Sequence, residues 1–172
     1  IATGVFVYQS FISDSKMWNS YTIPKAFMVY STTSIVTLII SGFLVDKFSG
    51  RKLILFMNLP LLLAMFTLFQ FNNEIFAYIF LGLIGVSNGL ANILGSSTWA
   101  EIYGVNYIGS IKALTTAFMV FSTAFGTAVF GLLIDSGFSI ENIAFIGAVY
   151  ILVSLFLLII IKNKIEPVKL SK

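Results

Sequence analysis

The feature that most restricts this chain is a series of long windows without charge. Five windows, 26–45, 53–73, 75–100, 113–134 and 142–161, contain no Asp, Glu, Lys or Arg. A helix needs roughly 20 apolar residues to cross the hydrocarbon core of a bilayer. Charges close the windows: Lys25, Asp46, Lys52, Glu74, Glu101, Lys112, Asp135, Glu141 and Lys162. A sixth charge-free run, 1–13, is shorter. The six runs are segments A to F in chain order. A membrane barrel would require segments of about ten residues alternating in polarity. Runs such as Leu152 to Ile161 do not alternate, so the expected fold is all-α, a polytopic membrane helix bundle.

Composition agrees and excludes several function classes. The 172 residues are 58% hydrophobic and 10% charged, with a mean hydropathy of +0.99. Soluble domains carry about 25% charged residues. Too few charges remain to clothe a water-soluble enzyme, a nucleic-acid binder or a disordered chain. The chain has no Cys and no His, which removes thiolate chemistry, disulfides, imidazole relays and most zinc sites. No nucleophile–base pair or metal cluster is visible, so neither an enzyme nor a cofactor nor a metal is expected.

The net charge of +3 reads as topology. Alternating spans put loops B–C and D–E and the C-terminal tail on one side. That side holds Lys47, Arg51, Lys52, Lys112, Lys162, Lys164, Lys169 and Lys172, against Lys16 and Lys25 on the other. Basic residues favour the cytoplasmic side. The expectation is a multi-pass protein of the cell (inner) membrane with a cytoplasmic C-terminus.

The chain also matches itself. Gly42-Phe43-Leu44-Val45-Asp46 closes segment B, and Gly131-Leu132-Leu133-Ile134-Asp135 closes segment E. The same shift of 89 residues puts Thr33-Ser34 on Ser122-Thr123 and position 53 on 142. B and E cross in opposite senses, so the repeat is inverted, a recurring transporter device. Residues 1–73 form a first three-helix repeat, truncated at its start, and 74–172 a second with the tail. Applied to D, the shift sets the start of A about 14 residues before Ile1.

Polar residues concentrate in A, B, D and E, while C and F read as lipid-facing. Polar groups in hydrocarbon are costly unless they face protein or water. Candidate pathway residues are Tyr8, Gln9, Tyr30, Ser34, Asn88, Asn92, Thr116 and Thr123. The hydroxyls could equally bond their own backbone. Gly82, Gly85 and Gly89 read mainly as close packing, with a hinge as the other role. Pro60 is expected to kink segment C.

At loop B–C, Gly42-Phe43-Leu44-Val45-Asp46-Lys47-Phe48-Ser49-Gly50-Arg51-Lys52 resembles the signature of the major facilitator superfamily, roughly G-x-L-x-D-R/K-x-G-x-R-R/K. Ser49 stands at the usual glycine position, and Gly50 follows. Trp99-Ala100-Glu101-Ile102-Tyr103-Gly104 and Gly109-Ser110-Ile111-Lys112-Ala113-Leu114 also resemble a cytoplasmic loop of the family, in bacterial members related to monocarboxylate and oxalate–formate carriers. The resemblance covers the whole chain. It implies the C-terminal half of such a carrier, from midway through its seventh helix to its twelfth. Partners would be a small-molecule substrate, the lipid bilayer and the missing N-terminal half, and not nucleic acid. It further implies a conformational gate at Gly42, Asp46, Lys47, Gly50, Arg51, Lys52 and Glu101, whose contacts lock the outward-facing state.

The expected function is secondary transport of a small solute, an organic anion or another metabolite, by alternating access. The alternatives are a proton-coupled multidrug exporter of the same fold and a non-transporting membrane scaffold subunit. No carboxylate or cation lies deep in a span, which leaves coupling to substrate gradients, to exchange or to residues elsewhere.

Overall fold

Long apolar runs without interior charge become long helices, and their breaks fall where local chemistry demands. A computed structural model describes residues 1–162. Its helices are α1 (Ala2–Val7), α2 (Gln9–Ser15), α3 (Thr22–Phe48), α4 (Gly50–Leu53), α5 (Leu59–Gln70), α6 (Ile75–Tyr103), α7 (Ile108–Asp135) and α8 (Ile140–Lys162). Short 3-10 turns occupy Ile54–Phe56 and Val105–Tyr107. Among the described residues there is no strand. Five stretches are long and apolar enough to span a bilayer: Thr22–Phe48, Gly50–Gln70, Ile75–Tyr103, Ile108–Asp135 and Ile140–Ile161. They correspond to segments B to F. The tail cations Lys164, Lys169 and Lys172 lie outside the described residues.

Two helices are interrupted. Segment A divides at Tyr8, whose φ of −100° and ψ of 26° separate α1 from α2. Segment C loosens at the 3-10 turn Ile54–Phe56, before Pro60. Pro60 itself lies in the first turn of α5, where its missing N–H costs nothing. The expected kink is therefore a restart of the helix, displaced toward the N-terminus.

Helix α6 is the centre of the bundle. It packs along α3 on one side and against α5 on the other, and α5 in turn packs on α8. Helices α3 and α6 run parallel. Thr22 at the start of α3 meets Glu74, and Gly50 just past its end meets Glu101. Gly82, Gly85 and Gly89 form the seam between them. A Cβ on Gly89 would lie 2.6 Å from the Ser34 carbonyl oxygen and 2.9 Å from Thr37 Cβ. One on Gly85 would collide with Thr33 Oγ1 and the Tyr30 carbonyl. Thr33 Oγ1 donates across the seam to the Gly82 carbonyl at 3.1 Å. These glycines are packing residues, the small-residue solution by which helices associate in lipid.

The apolar core joins Val5, Ile12, Ala64, Met65, Leu68, Phe80, Leu81, Ile84, Ile143 and Ile151. Helices α5 and α8 contribute buried residues to it and also expose large apolar side chains such as Phe66 and Phe156. Helices α3 and α7 expose even more of their length than α5 and α8 do. Exposure within this chain thus does not single out segments C and F, because α3 and α7 each offer only part of their surface to their neighbours. Helix α7 meets α1 near its far end: the Tyr8 ring stacks on Phe130 at 5.4 Å, and Tyr8 Oη abuts Gly131.

Candidate functional site

The first group of predicted residues meets at mid-span. Asn88 is one residue from the middle of α6, and Ser34 one from the middle of α3. Asn88 Nδ2 donates to Tyr30 Oη at 2.8 Å and to Ser34 Oγ at 3.4 Å. One turn on, Asn92 Nδ2 donates to the Asn88 carbonyl at 2.9 Å and approaches Asn88 Oδ1 at 3.5 Å. Ser96 Oγ closes the run on the Asn92 carbonyl at 3.2 Å. Asn88 and Asn92 are exposed, while Tyr30 and Ser34 are half-buried. The Tyr30 ring is clamped by Phe6 at 5.2 Å and Phe27 at 6.0 Å, both edge-on. The glycine seam brings the two helices close enough for these short side chains to bond.

The remaining pathway residues do not join this cluster. Tyr8 packs on Phe130 and Gly131, and Gln9 is half-buried in α2. Thr116 is exposed on α7, and the carbonyl of Thr123 accepts from Thr127 Oγ1 at 2.9 Å. Several other span hydroxyls bond their own helix, as in Ser31 to Phe27, Ser41 to Thr37 and Thr115 to Ile111. For these the backbone-bonding role holds. A cavity of about 400 Å³ among α1, α5, α7 and α8 is apolar and contains none of the eight pathway residues.

The second group lies where α3 ends. Ser49 takes φ 74° and ψ 137°, a region that L-residues with a Cβ rarely adopt. The chain thereby turns at Ser49 itself, and Gly50 opens α4. The Glu101 carboxylate gathers this turn: Oε1 accepts from the Gly50 amide at 2.6 Å, and Oε2 from Ser49 Oγ at 2.6 Å and the Arg51 amide at 3.2 Å. Ser97 Oγ adds a contact at 3.3 Å. Charge-assisted bonds of this length are the strong class. Gly50, which follows the signature's glycine position, is close-packed, since a Cβ there would lie 3.1 Å from the Thr98 amide nitrogen. Gly42 is open, with nothing within 4 Å of a Cβ. Asp46, Lys47 and Lys52 are exposed, and Lys47 Nζ sits 5.3 Å from the centroid of the Phe48 ring.

The match of this turn to the signature extends to the whole chain, because the family model of the Major Facilitator Superfamily covers residues 2–172. The chain belongs to the Major Facilitator Superfamily. Its members are membrane transporters and not enzymes, and this chain is a multi-pass membrane transporter at that level. Comparison with curated proteins gives no match, and neither does comparison with solved structures.

One polar network in this superfamily chain escaped the sequence reading. At the end of the bundle opposite Glu101, the ammonium of Lys16 is fully buried, bonded to Asn72 Oδ1 at 2.6 Å and Glu141 Oε1 at 2.8 Å. Trp18 Nε1 donates to the Asn72 carbonyl at 2.6 Å. Glu74 accepts from the Asn19 amide at 3.0 Å and Thr22 Oγ1 at 3.2 Å. Three connections, 16–22, 71–75 and 139–141, are thereby tied together. Ser49 and Ser97, the hydroxyl partners of Glu101, were also missed. The one signal for Ser49 was its departure from the family glycine.

Proposed function

We propose that the chain is the C-terminal half of a secondary transporter that moves a small solute across the cell membrane by alternating access. In this reading the turn after α3 and the end of α6 face the cytoplasm. The observation that carries it is the Glu101 junction. One half-buried carboxylate on α6 holds the signature turn through three donors, Ser49 Oγ and the Gly50 and Arg51 amides, with Ser97 Oγ of its own helix beside them. Such a joint is strong when closed, and its hydroxyl and amide donors find water when it opens, so it suits a two-state element. Asp46, Lys47 and Lys52 stand beside it, exposed.

The repeat supports the half-carrier reading. Moved by 89 residues, the bounds of α3 fall on 111 and 137, against Ile108 and Asp135 for α7. The end of α2 falls on 104, against Tyr103 for α6. The mid-span position of Asn88 and Ser34 is where carriers built from repeats hold substrate.

The test needs no known substrate. A single Asn92→Cys substitution is placed in the full-length carrier with any other cysteines removed. Vesicles of both orientations are then treated with a membrane-impermeant maleimide. Alternating access predicts labelling from both sides, and Glu101→Gln should raise the share labelled from the cytoplasmic face. Labelling from neither side removes Asn92 from the pathway. Labelling from one side alone, unmoved by Glu101→Gln, sinks alternating access and favours a scaffold.

A further inference from the structure

The mid-span cluster carries information about what it holds. Every side chain in it is neutral. Measured from Ser34 and Asn92, the nearest charges on their own helices are Lys25 and Glu101. Each is nine residues away, about 13 Å along the axis, too far for a direct ion pair with a group at mid-span. A carboxylate brought to mid-span would leave water and meet no cation from α3 or α6. Burying an unpaired charge in this way is costly.

The direction of the hydrogen bonds matters as much as the lack of charge. Asn88 spends its Nδ2 donors inward on Tyr30 Oη and Ser34 Oγ. Asn92 spends its Nδ2 donors on the Asn88 carbonyl at 2.9 Å and, at 3.5 Å, on Asn88 Oδ1. The outward-facing capacity is therefore the Asn92 Oδ1 acceptor together with the hydroxyl hydrogens of Tyr30 and Ser34. An anion could use the two hydroxyl donors but is repelled by the carbonyl oxygen. A solute whose own groups both donate and accept satisfies all three. If either carboxamide turns over, one donor and one acceptor exchange places and the patch stays neutral. The Tyr30 ring is held in place by Phe6 and Phe27.

We infer that this half of the pathway recognises an uncharged, polyhydroxylated solute, a sugar or polyol, through Tyr30, Ser34, Asn88 and Asn92. The inference rests on the transport reading above and narrows its substrate away from the organic anion suggested by family resemblance.

The test is a binding and uptake panel on the purified full-length carrier. Glucose, ribose, mannitol and glycerol form one series, and lactate, oxalate and succinate the other. The expected result is thermal stabilisation and saturable uptake of at least one member of the neutral series. Asn88→Ala and Asn92→Ala should each raise its KM about three- to tenfold, the value of one hydrogen bond. Far-UV circular dichroism and size-exclusion profiles that match the unsubstituted carrier separate this loss from misfolding. Binding confined to the carboxylates overturns the inference, as does neutral-solute binding indifferent to both substitutions, or binding by neither series. The maleimide experiment judges the transport reading independently of these outcomes.

Discussion

The Glu101 carboxylate accepts the Gly50 amide hydrogen at 2.6 Å. A side chain near the end of α6 thereby caps the first residue of α4, 51 positions earlier in the chain. The bond is short because Gly50 carries no Cβ to hold Ser97 and Thr98 away.

Replacing Glu101 with Gln keeps the shape and removes the charge. One carboxamide oxygen remains to accept, and the new NH₂ opposes the donors on its side. The expected loss is about 1–3 kcal/mol at the junction, the range for bonds to a charged group. Hydrogen exchange should quicken at Gly50 and Arg51 while the α3–α6 seam is unaffected. Equal exchange in both proteins would remove Glu101 from the joint.

The turn separates backbone strain from bonding at Ser49. Ser49→Ala keeps a Cβ at positive φ and loses the hydroxyl bond, so it should destabilise by about 1 kcal/mol. Ser49→Gly loses the same bond but relieves the backbone by about 1 kcal/mol, leaving it near neutral. Gly50→Ala should be the worst of the three, since the neighbour 3.1 Å away is backbone nitrogen, and Gly42→Ala should be tolerated. Thermal melts in detergent rank the four. A Gly42→Ala protein less stable than Gly50→Ala would contradict the packing described.

The Lys16–Glu141 pair should respond asymmetrically. The Lys16 side chain is 0% exposed and that of Glu141 37%. Lys16→Met frees a carboxylate that water can reach, for a cost of about 1 kcal/mol. Glu141→Ala strands a buried ammonium with Asn72 as its remaining partner, and costs about 3 kcal/mol. Urea or thermal unfolding of both variants checks the order, and equal losses would mean that Lys16 reaches water in solution.

Gly89→Val should be among the most damaging of these substitutions. Its Cβ would enter the Ser34 carbonyl at 2.6 Å, and α3 would have to move away from α6. Overpacking of a seam costs about 1–3 kcal/mol or more, and the separation would also break the Asn88–Tyr30 bond. Loss of folded protein in size-exclusion chromatography is the expected readout. A monodisperse, stable Gly89→Val protein would show that the seam is looser than described.

The spans were legible because charge is so expensive in hydrocarbon that its positions mark helix ends. Lys25, Asp46, Glu74, Glu101, Asp135, Glu141 and Lys162 all fall in the first or last turns of helices or just beyond them, and Lys112 is the fifth residue of α7. Pairing of Asn88 with its one-turn neighbour Asn92 was legible from helical spacing. Its bonds to Tyr30 and Ser34 depend on how α3 and α6 lie together, which the Gly82, Gly85 and Gly89 pattern signals without setting the register. The breaks at Tyr8 and Ile54–Phe56 carry no glycine and follow tertiary packing. Lys16 was unreadable as a buried ion, because one lysine in a loop looks the same whether solvated or enclosed, and its partners lie 56 and 125 residues away.

The network around Lys16 has a mechanical meaning. It fastens the connections 16–22, 71–75 and 139–141 to one another with several short bonds, two of them on a buried ammonium. At the other end of α3 and α6 the signature turn hangs on one carboxylate. In the proposed transport cycle the Glu101 junction would be the latch and the Lys16 end the fulcrum, so that displacement at any level would grow with distance from that fulcrum. Asn88 and Ser34, at half the lever's length, would then shift about half as far as Ser49.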